Sequence, residues 1–210
     1  MVVQAPLTGV IGFVVAGGRS TRMGRDKALL PWDGGTLLDH AVARLRAVCA
    51  DVRILCGPEP RYADRGLPLV LDPPRDGDAS APGREAPGPL AGLAAGLDSA
   101  GDRAGLYLGV DLPHVPMALL AALIATDPAA DAVVPVWERG PEPLCAVYRP
   151  GCAAAVRARL AAGDHRMTSF WPDIRVHEMK TAALATFGDP DHLFRNVNAP
   201  ADYRAARDQL

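Results

Sequence analysis

With 210 residues the chain is long enough for one well-packed core, and since domains typically run to roughly 100 to 200 residues, a single domain over 1–210 is expected. The composition, 49% hydrophobic and 22% charged, is that of an ordinary globular protein; only 5% is aromatic, so alanine and leucine must fill the apolar positions and helix packed on sheet should build the core. A formal net charge of -2 offers no basic field for a nucleic-acid backbone, and the apolar N-terminal stretch lacks both a basic leader and the roughly 20-residue apolar run that spans a bilayer. That leaves small-molecule or protein partners, no nucleic acid and no membrane, with any phosphate bound locally.

Gly9 to Ala16 is a continuous β-branched apolar run, as in a strand buried on both faces of a parallel sheet. It runs into Val15 to Lys27, VAGGRSTRMGRDK, a glycine-rich turn followed by three arginines and a lysine. Successive backbone amides in such a turn make an anion-binding concavity, and the cations add charge toward phosphate. Open α/β sheets also bind ligands beyond the carboxyl ends of their strands. The stretch is not a Walker loop, because five residues separate Gly18 from Gly24 and Arg25 follows; nor is it the dinucleotide fingerprint. Taken alone it also fits a plain turn with a solvated basic face.

Thr36 opens a helix with Leu37, Leu38, Ala41, Val42, Leu45 and Val48 on one face, and as N-cap it has Asp39 three residues on. Strands are expected at Val52 to Cys56 and Leu67 to Leu71. Pro73 to Pro89, PPRDGDASAPGREAPGP, is dense in proline, glycine and charge and reads as a mobile surface loop, either an inert insertion or a lid or substrate-reading loop. It leads into the small-residue turn Gly88-Pro89-Leu90-Ala91-Gly92 and a helix over Leu90 to Ser99.

Leu106 to Val110 is the next strand, and Asp111 stands at its end in D-L-P-H-V-P, where two prolines fix the following turn. A carboxylate there suits Mg2+, a hard cation that takes one or two carboxylates plus substrate phosphates; a helix N-cap is the competing role. Further on come a helix over Met117 to Thr126, strands at Ala132 to Val136 and Leu144 to Arg149, and a helix over Cys152 to Ala162. Near the end, RNVNAPAD carries Asn196 and Asn198, two amides that point the same way on an extended segment and can share a ligand. Asparagines before a proline also make turns, and Asp202 is placed to cap a closing helix over Ala201 to Gln209. The alternation of strand and helix argues for an α/β fold with a mainly parallel sheet. Cys49, Cys56, Cys145 and Cys152 form two pairs, each with six intervening residues, wider than zinc spacing. They read as free thiols of a reducing cytoplasm.

Five of these segments resemble the molybdenum cofactor guanylyltransferase family. Val15 to Lys27 is similar to its L-A-G-G-x-S-x-R-M-G-x-D-K signature, Gly88 to Leu93 to G-P-L-A-G-L, and Asp111-Leu112-Pro113 to D-x-P. Pro143 to Tyr148 is similar to P-L-x-A-L-Y, and Asn196 to Pro200 to N-x-N-T-P. Val15 stands where the family usually has leucine, and Cys56-Gly57 where members often carry a nucleoside-binding asparagine.

The resemblance implies a Rossmann-like three-layer sandwich of the nucleotide-diphospho-sugar transferase type, with helices on both faces. Its N-terminal part would bind nucleotide and its C-terminal part the acceptor. It implies transfer of GMP from GTP to a molybdopterin-type phosphate with Mg2+ as cofactor, and brief contacts with proteins that mature molybdoenzymes. On that basis Val15, Ala16, Gly17 and Gly18 meet the nucleotide through their backbone, with Arg19, Asp72 and the element Gly88, Pro89, Leu90 and Gly92 completing its pocket. Lys27 binds the phosphates, Arg22 joins it in catalysis, Asp111 holds the metal, and Asn196 and Asn198 lie near the pterin or a metal. The reaction would be in-line attack of the acceptor's phosphate oxygen on the α-phosphorus, with Lys27, Arg19 and Arg22 offsetting charge on the leaving pyrophosphate. Two rival readings are CMP or other nucleotidyl transfer on the same fold, and a non-catalytic nucleotide-binding regulator. The presence of both Lys27 and Asp111 argues against the second.

Overall fold

The computed structural model describes residues 6–17, 26–72 and 88–207. In chain order it contains β1 (Leu7–Val15), a short hairpin of β2 (Pro31–Trp32) and β3 (Gly35–Thr36), α1 (Leu37–Arg46), β4 (Cys49–Gly57), β5 (Leu69–Leu71), α2 (Pro89–Ala100), β6 (Ala104–Gly109) and α3 (Met117–Ala125). Then follow β7 (Ala132–Trp137), β8 (Gly140–Pro141), β9 (Cys145–Tyr148), α4 (Ala153–Ala161), β10 (Val176–Lys180), α5 (Thr181–Leu184), α6 (Pro190–Leu193) and α7 (Pro200–Arg207).

One sheet of eight strands runs in the order β10-β7-β9-β6-β1-β4-β5, with β8 paired to β7. The β6-β1-β4-β5 half is parallel, and β10 is parallel to β7. β9 lies antiparallel to both β6 and β7.

Period-two alternation along β1 sends its side chains to two separate cores. Val10 and Val14 pack with α1 and α3 residues such as Leu38, Leu45, Leu119 and Leu123, whereas Ile11 and Phe13 pack with Leu90, Leu93 and Leu97 of α2 and Val156 of α4. On this second side Phe13 stacks on Tyr107 at 4.9 Å and Tyr107 meets Tyr148 edge-on. The result is a sheet between two helical layers.

The entry to α1 follows from its sequence. Thr36 Oγ1 accepts from Asp39 N at 3.2 Å, and Thr36 N donates to Asp39 Oδ2 at 3.0 Å, a reciprocal capping box. Expected elements are found with shifted ends: the first strand begins at Leu7, the second at Cys49, and the strand expected from Leu67 begins at Leu69. β10 was not anticipated from the sequence. Its VHEMK has polar side chains at His177, Glu178 and Lys180 and buries only Met179, so it carries neither an apolar run nor a clean alternation to mark it.

Candidate active site

The carboxyl ends of β1, β4, β5 and β6 open on the same edge of the sheet, and the candidate site residues gather there. Lys27 begins a 3-10 turn, Lys27–Leu29, whose N-cap is Asp26; Asp26 Oδ1 accepts from Ala28 N at 3.1 Å. From that turn Lys27 Nζ donates to Asp111 Oδ2 at 2.9 Å and to Asn198 Oδ1 at 3.2 Å. Three segments separated by 84 and 171 residues in sequence thus meet at one ammonium group. Side-chain exposure of Lys27 and Asp111 is 19% and 15%, so the pair is shielded enough for its charges to act strongly.

Asp111 does not cap a helix. The N-cap of α3 is Pro116, and the Asp111 carboxylate instead folds back over the end of β6. A Cβ at Gly109 would stand 2.5 Å from Asp111 Oδ1, so only glycine leaves room for this arrangement. The backbone of Asp111 is tied to the C-terminal segment, its carbonyl accepting from Val197 N at 3.0 Å.

Val197 is wholly buried with Trp32 and Leu37, and this packing sets its neighbours' direction. Asn196 and Asn198, one position either side, point away from that cluster. Asn198 reaches Lys27, and the Asn196 amide hydrogen-bonds Glu142. The alternation of an extended segment holds here, although each amide has its own partner. Asp202 serves the cap role from inside α7, where Oδ2 accepts from Asn198 N at 3.1 Å and Ala199 N at 2.7 Å.

Glu142 has no motif of its own in the sequence, yet it is the one charged residue counted among the buried described residues, at 8% exposure. Burial, with the nearby negative charge of Asp111 adding to it, pushes its carboxyl up to about 7; hydrogen bonds from Leu144 N and Asn196 oppose the shift. The signal available was a carboxylate locked between Pro141 and Pro143 just ahead of the PLCAVY strand. His114, three residues past Asp111, lies against His192 with ring centroids 4.4 Å apart and the planes tilted by 36°. Burial and the positive surroundings depress its pKa to about 4, so it stays neutral at pH 7 and adds no cation to the site.

At the other end, Ala16 N donates to Leu55 O at 2.9 Å and Val15 O accepts from Val110 N at 3.2 Å, fixing the exit of β1 between β4 and β6. Gly17 lies so close to β4 that a Cβ would come within 3.1 Å of Gly57 N. Asp72 follows β5 with its N–H on Gly57 O at 3.0 Å, and its Oδ1 is 3.6 Å from where a Cβ of Gly92 would be. Gly88 is the N-cap of α2 with Pro89 at the first helical position, and Gly88 backs onto His165. Ala16, Gly17, Asp72, Gly88 and Gly92 therefore rim one edge. Gly18, Arg19 and Arg22 lie outside the described residues, as do 73–87 of the proline-rich loop and Gln209.

The donors fit a hard divalent cation. Asp111 offers a carboxylate and Asn198 an amide oxygen, with the Glu142 carboxyl close behind, and all are oxygen ligands. Among the described residues no three His, Cys, Asp or Glu converge into a cage. All four cysteines are free and buried, and burial raises their pKa values, so they are inert.

Comparison with known proteins gives the family. A family model described as the MobA-like NTP transferase domain matches residues 12–177. A Deinococcus radiodurans protein named "Probable molybdenum cofactor guanylyltransferase" is 37% identical over 201 residues, covering 94% of this chain and 92% of that protein. A Pelotomaculum thermopropionicum protein of the same name is 32% identical over 196 residues, covering 93% and 91%. Among solved structures, molybdopterin-guanine dinucleotide biosynthesis protein A from Archaeoglobus fulgidus superposes with a TM-score of 0.77 at 20% identity, covering 95% of this chain and 97% of that one. A Mycobacterium tuberculosis protein solved as a manganese complex superposes with a TM-score of 0.62 at 21% identity, covering 97% and 100%. At those identities the structures speak to the fold, which is that of the nucleotide-diphospho-sugar transferases. The chain belongs to the MobA-like NTP transferase family and is a nucleotidyltransferase.

Proposed function

We propose that this nucleotidyltransferase moves GMP from GTP to the phosphate of a molybdenum-molybdopterin cofactor, releasing pyrophosphate and forming a molybdopterin guanine dinucleotide. The observation that carries the reading is Lys27 Nζ, held between Asp111 Oδ2 and Asn198 Oδ1 at the carboxyl edge of the sheet. The names of the relatives support guanylyl as the group transferred.

In this reading the N-terminal part binds nucleotide. The backbone of Val15, Ala16, Gly17 and Gly18 lies along it, and Asp72 and the Gly88, Pro89, Leu90 and Gly92 element frame the nucleoside, small residues letting backbone groups approach a purine edge. The C-terminal part receives the acceptor beside Asn196 and Asn198. Asp111 and the Asn198 amide oxygen would hold Mg2+, which when bound supplies positive charge to the phosphoryl oxygens.

Lys27, with Arg19 and Arg22, offsets charge on the leaving pyrophosphate. The acceptor brings its own nucleophilic phosphate oxygen, so no side chain need form a covalent intermediate, and positioning supplies most of the acceleration. Glu142 holds Asn196 in place through its carboxyl. A reducing cytoplasm suits four buried free thiols. Brief contacts with molybdoenzyme maturation proteins would pass the product on.

The test is a thermal-shift series with Mg2+ and GTP, CTP, ATP or UTP, followed by pyrophosphate release with a molybdopterin acceptor. A ligand that binds only the native state raises Tm, and GTP is expected to give the largest shift. A larger shift with CTP would reassign the base to cytosine. No nucleotide shift and no pyrophosphate would overturn the proposal.

A further inference from the structure

We infer that Arg61 and Tyr62 are positioning residues, which clasp the two ends of the glycine-rich connection and, through Asp26, aim Lys27. The inference rests on the proposed reading of Lys27 as the phosphate ligand. The connection leaves β1 at Ala16 and returns at Asp26, and both ends carry bonds from the same dipeptide. Arg61 Nη2 donates to Ala16 O at 3.3 Å and to Cys56 O at 3.0 Å, while its Nη1 donates to Asp26 Oδ2 at 3.3 Å. Tyr62 OH donates to that same Asp26 oxygen at 2.7 Å and stands 3.4 Å from Ala16 O.

The other Asp26 oxygen caps the 3-10 turn that carries Lys27. Asp26 is thus a joint: one oxygen faces the clasp and the other faces the turn. Rotation of that turn would carry the ammonium away from Asp111 and Asn198.

The backbone of the clasp is itself costly. Tyr62 has φ +70°, in the left-handed region that a bulky aromatic rarely enters. Strain of this kind persists where surrounding contacts over-determine a conformation. Here it delivers the Tyr62 side chain to a 7% exposed position under the loop ends, with the Arg61 guanidinium 5.3 Å from the ring centroid. Burial and the Asp26 charge raise the Tyr62 pKa, so the phenol remains a donor throughout the working pH range.

A clasp that holds Ala16 and the Lys27 turn in place before nucleotide arrives has its own kinetic signature. If its loss leaves the binding-competent arrangement only about one-tenth populated, the apparent Kd for nucleotide rises about tenfold by that fraction alone. Nucleotide binds only the competent arrangement and so restores the aim of Lys27, and the chemical step, once nucleotide is bound, changes little. Loss of the Lys27 charge instead falls on kcat.

The experiment measures GTP binding with Mg2+ by calorimetry, without acceptor, on the full chain carrying Tyr62→Phe, Arg61→Lys, Asp26→Ala or Tyr62→Phe with Asp26→Ala. The expected result is a Kd about tenfold higher for Tyr62→Phe, a similar rise for Arg61→Lys, and no further rise when Tyr62→Phe is added to Asp26→Ala. Kd unchanged in both Tyr62→Phe and Arg61→Lys would overturn the inference, as would additive effects in the double variant. Should Tyr62→Phe unfold, Arg61→Lys and the Asp26 arm decide. Lys27→Ala, assayed for pyrophosphate release, separates the two readings. If it is impaired and the clasp variants are normal, the clasp fails alone; if it is fully active, the reading of the site fails with it.

Discussion

Exchange of Glu142 for glutamine keeps the shape and the hydrogen bond from Leu144 N but removes a buried acid, and the consequence can be worked out from its surroundings. In the folded protein the carboxyl ionises near pH 7, against an ordinary value of 4.5. Raising the pKa means that the folded state favours the protonated form. The stability this lends is fully present below about pH 4.5 and is lost as pH rises through 7. With the group 8% exposed, the difference amounts to about 3 kcal/mol. About 2.5 kcal/mol of it develops between pH 5 and pH 8, so at roughly 2 to 4 °C per kcal/mol for a chain of this size Glu142→Gln should gain about 5 to 10 °C in Tm over wild type across that range, without divalent cation or nucleotide. Thermal melts of both proteins across that range measure it, and subtracting one curve from the other removes every other titrating group. Repeating the pair on an Asp111→Asn background should shrink the gap, because the charge of Asp111 is part of its cause. Parallel melting curves from pH 5 to pH 8 would refute the assigned cause.

Other expectations concern the chemistry. Lys27→Ala should slow pyrophosphate release by about a hundredfold, chiefly in kcat, since a charge-assisted contact of roughly 3 kcal/mol meets charge that develops in the transition state; a rise confined to KM would contradict that role. Asp111→Asn should lower turnover by at least about a hundredfold with the fold retained by circular dichroism, and chelator should silence the parent protein. Normal turnover in the variant, or in excess chelator, would remove Asp111 from the metal site. Gly109→Ala places a methyl 2.5 Å from Asp111 Oδ1, so the carboxylate must swing aside; activity should drop by about a hundredfold while Tm barely moves. Full activity would show that the carboxylate position is not critical.

Much of this architecture is legible residue by residue. Thr36 and Asp39 announce the start of α1 because a capping box is a local interaction, decided within four residues. The amides at Asn196 and Asn198 share a side because an extended segment has period two, and Val197 between them is apolar enough to choose which side is buried. Glu142 is opaque for the opposite reason. Its environment is made by Asp111 and Asn196, distant in sequence, while its neighbours Pro141 and Pro143 look like an ordinary turn. Arg61 and Tyr62 sit in an aperiodic stretch whose purpose appears only once Ala16 and Asp26 are brought to it. The competing cap role for Asp111 fails because Pro116, two residues beyond His114, takes that position.

The placement of β9 between β6 and β7 governs the order in which the molecule can assemble. As the chain emerges from synthesis, β1, β4, β5 and β6 can pair as soon as residue 109 is available, but β7 has no partner in that half. Only when Cys145–Tyr148 arrives does an antiparallel strand bridge Leu106 on one side and Val133 on the other and join the halves. Until then the exposed edge of β6 is open to wrong partners. Asn198 comes later still. A ribosome-bound chain stalled before β9 should therefore hold a folded N-terminal half with an unfinished active site, a state in which a chaperone covering the β6 edge would have most to protect.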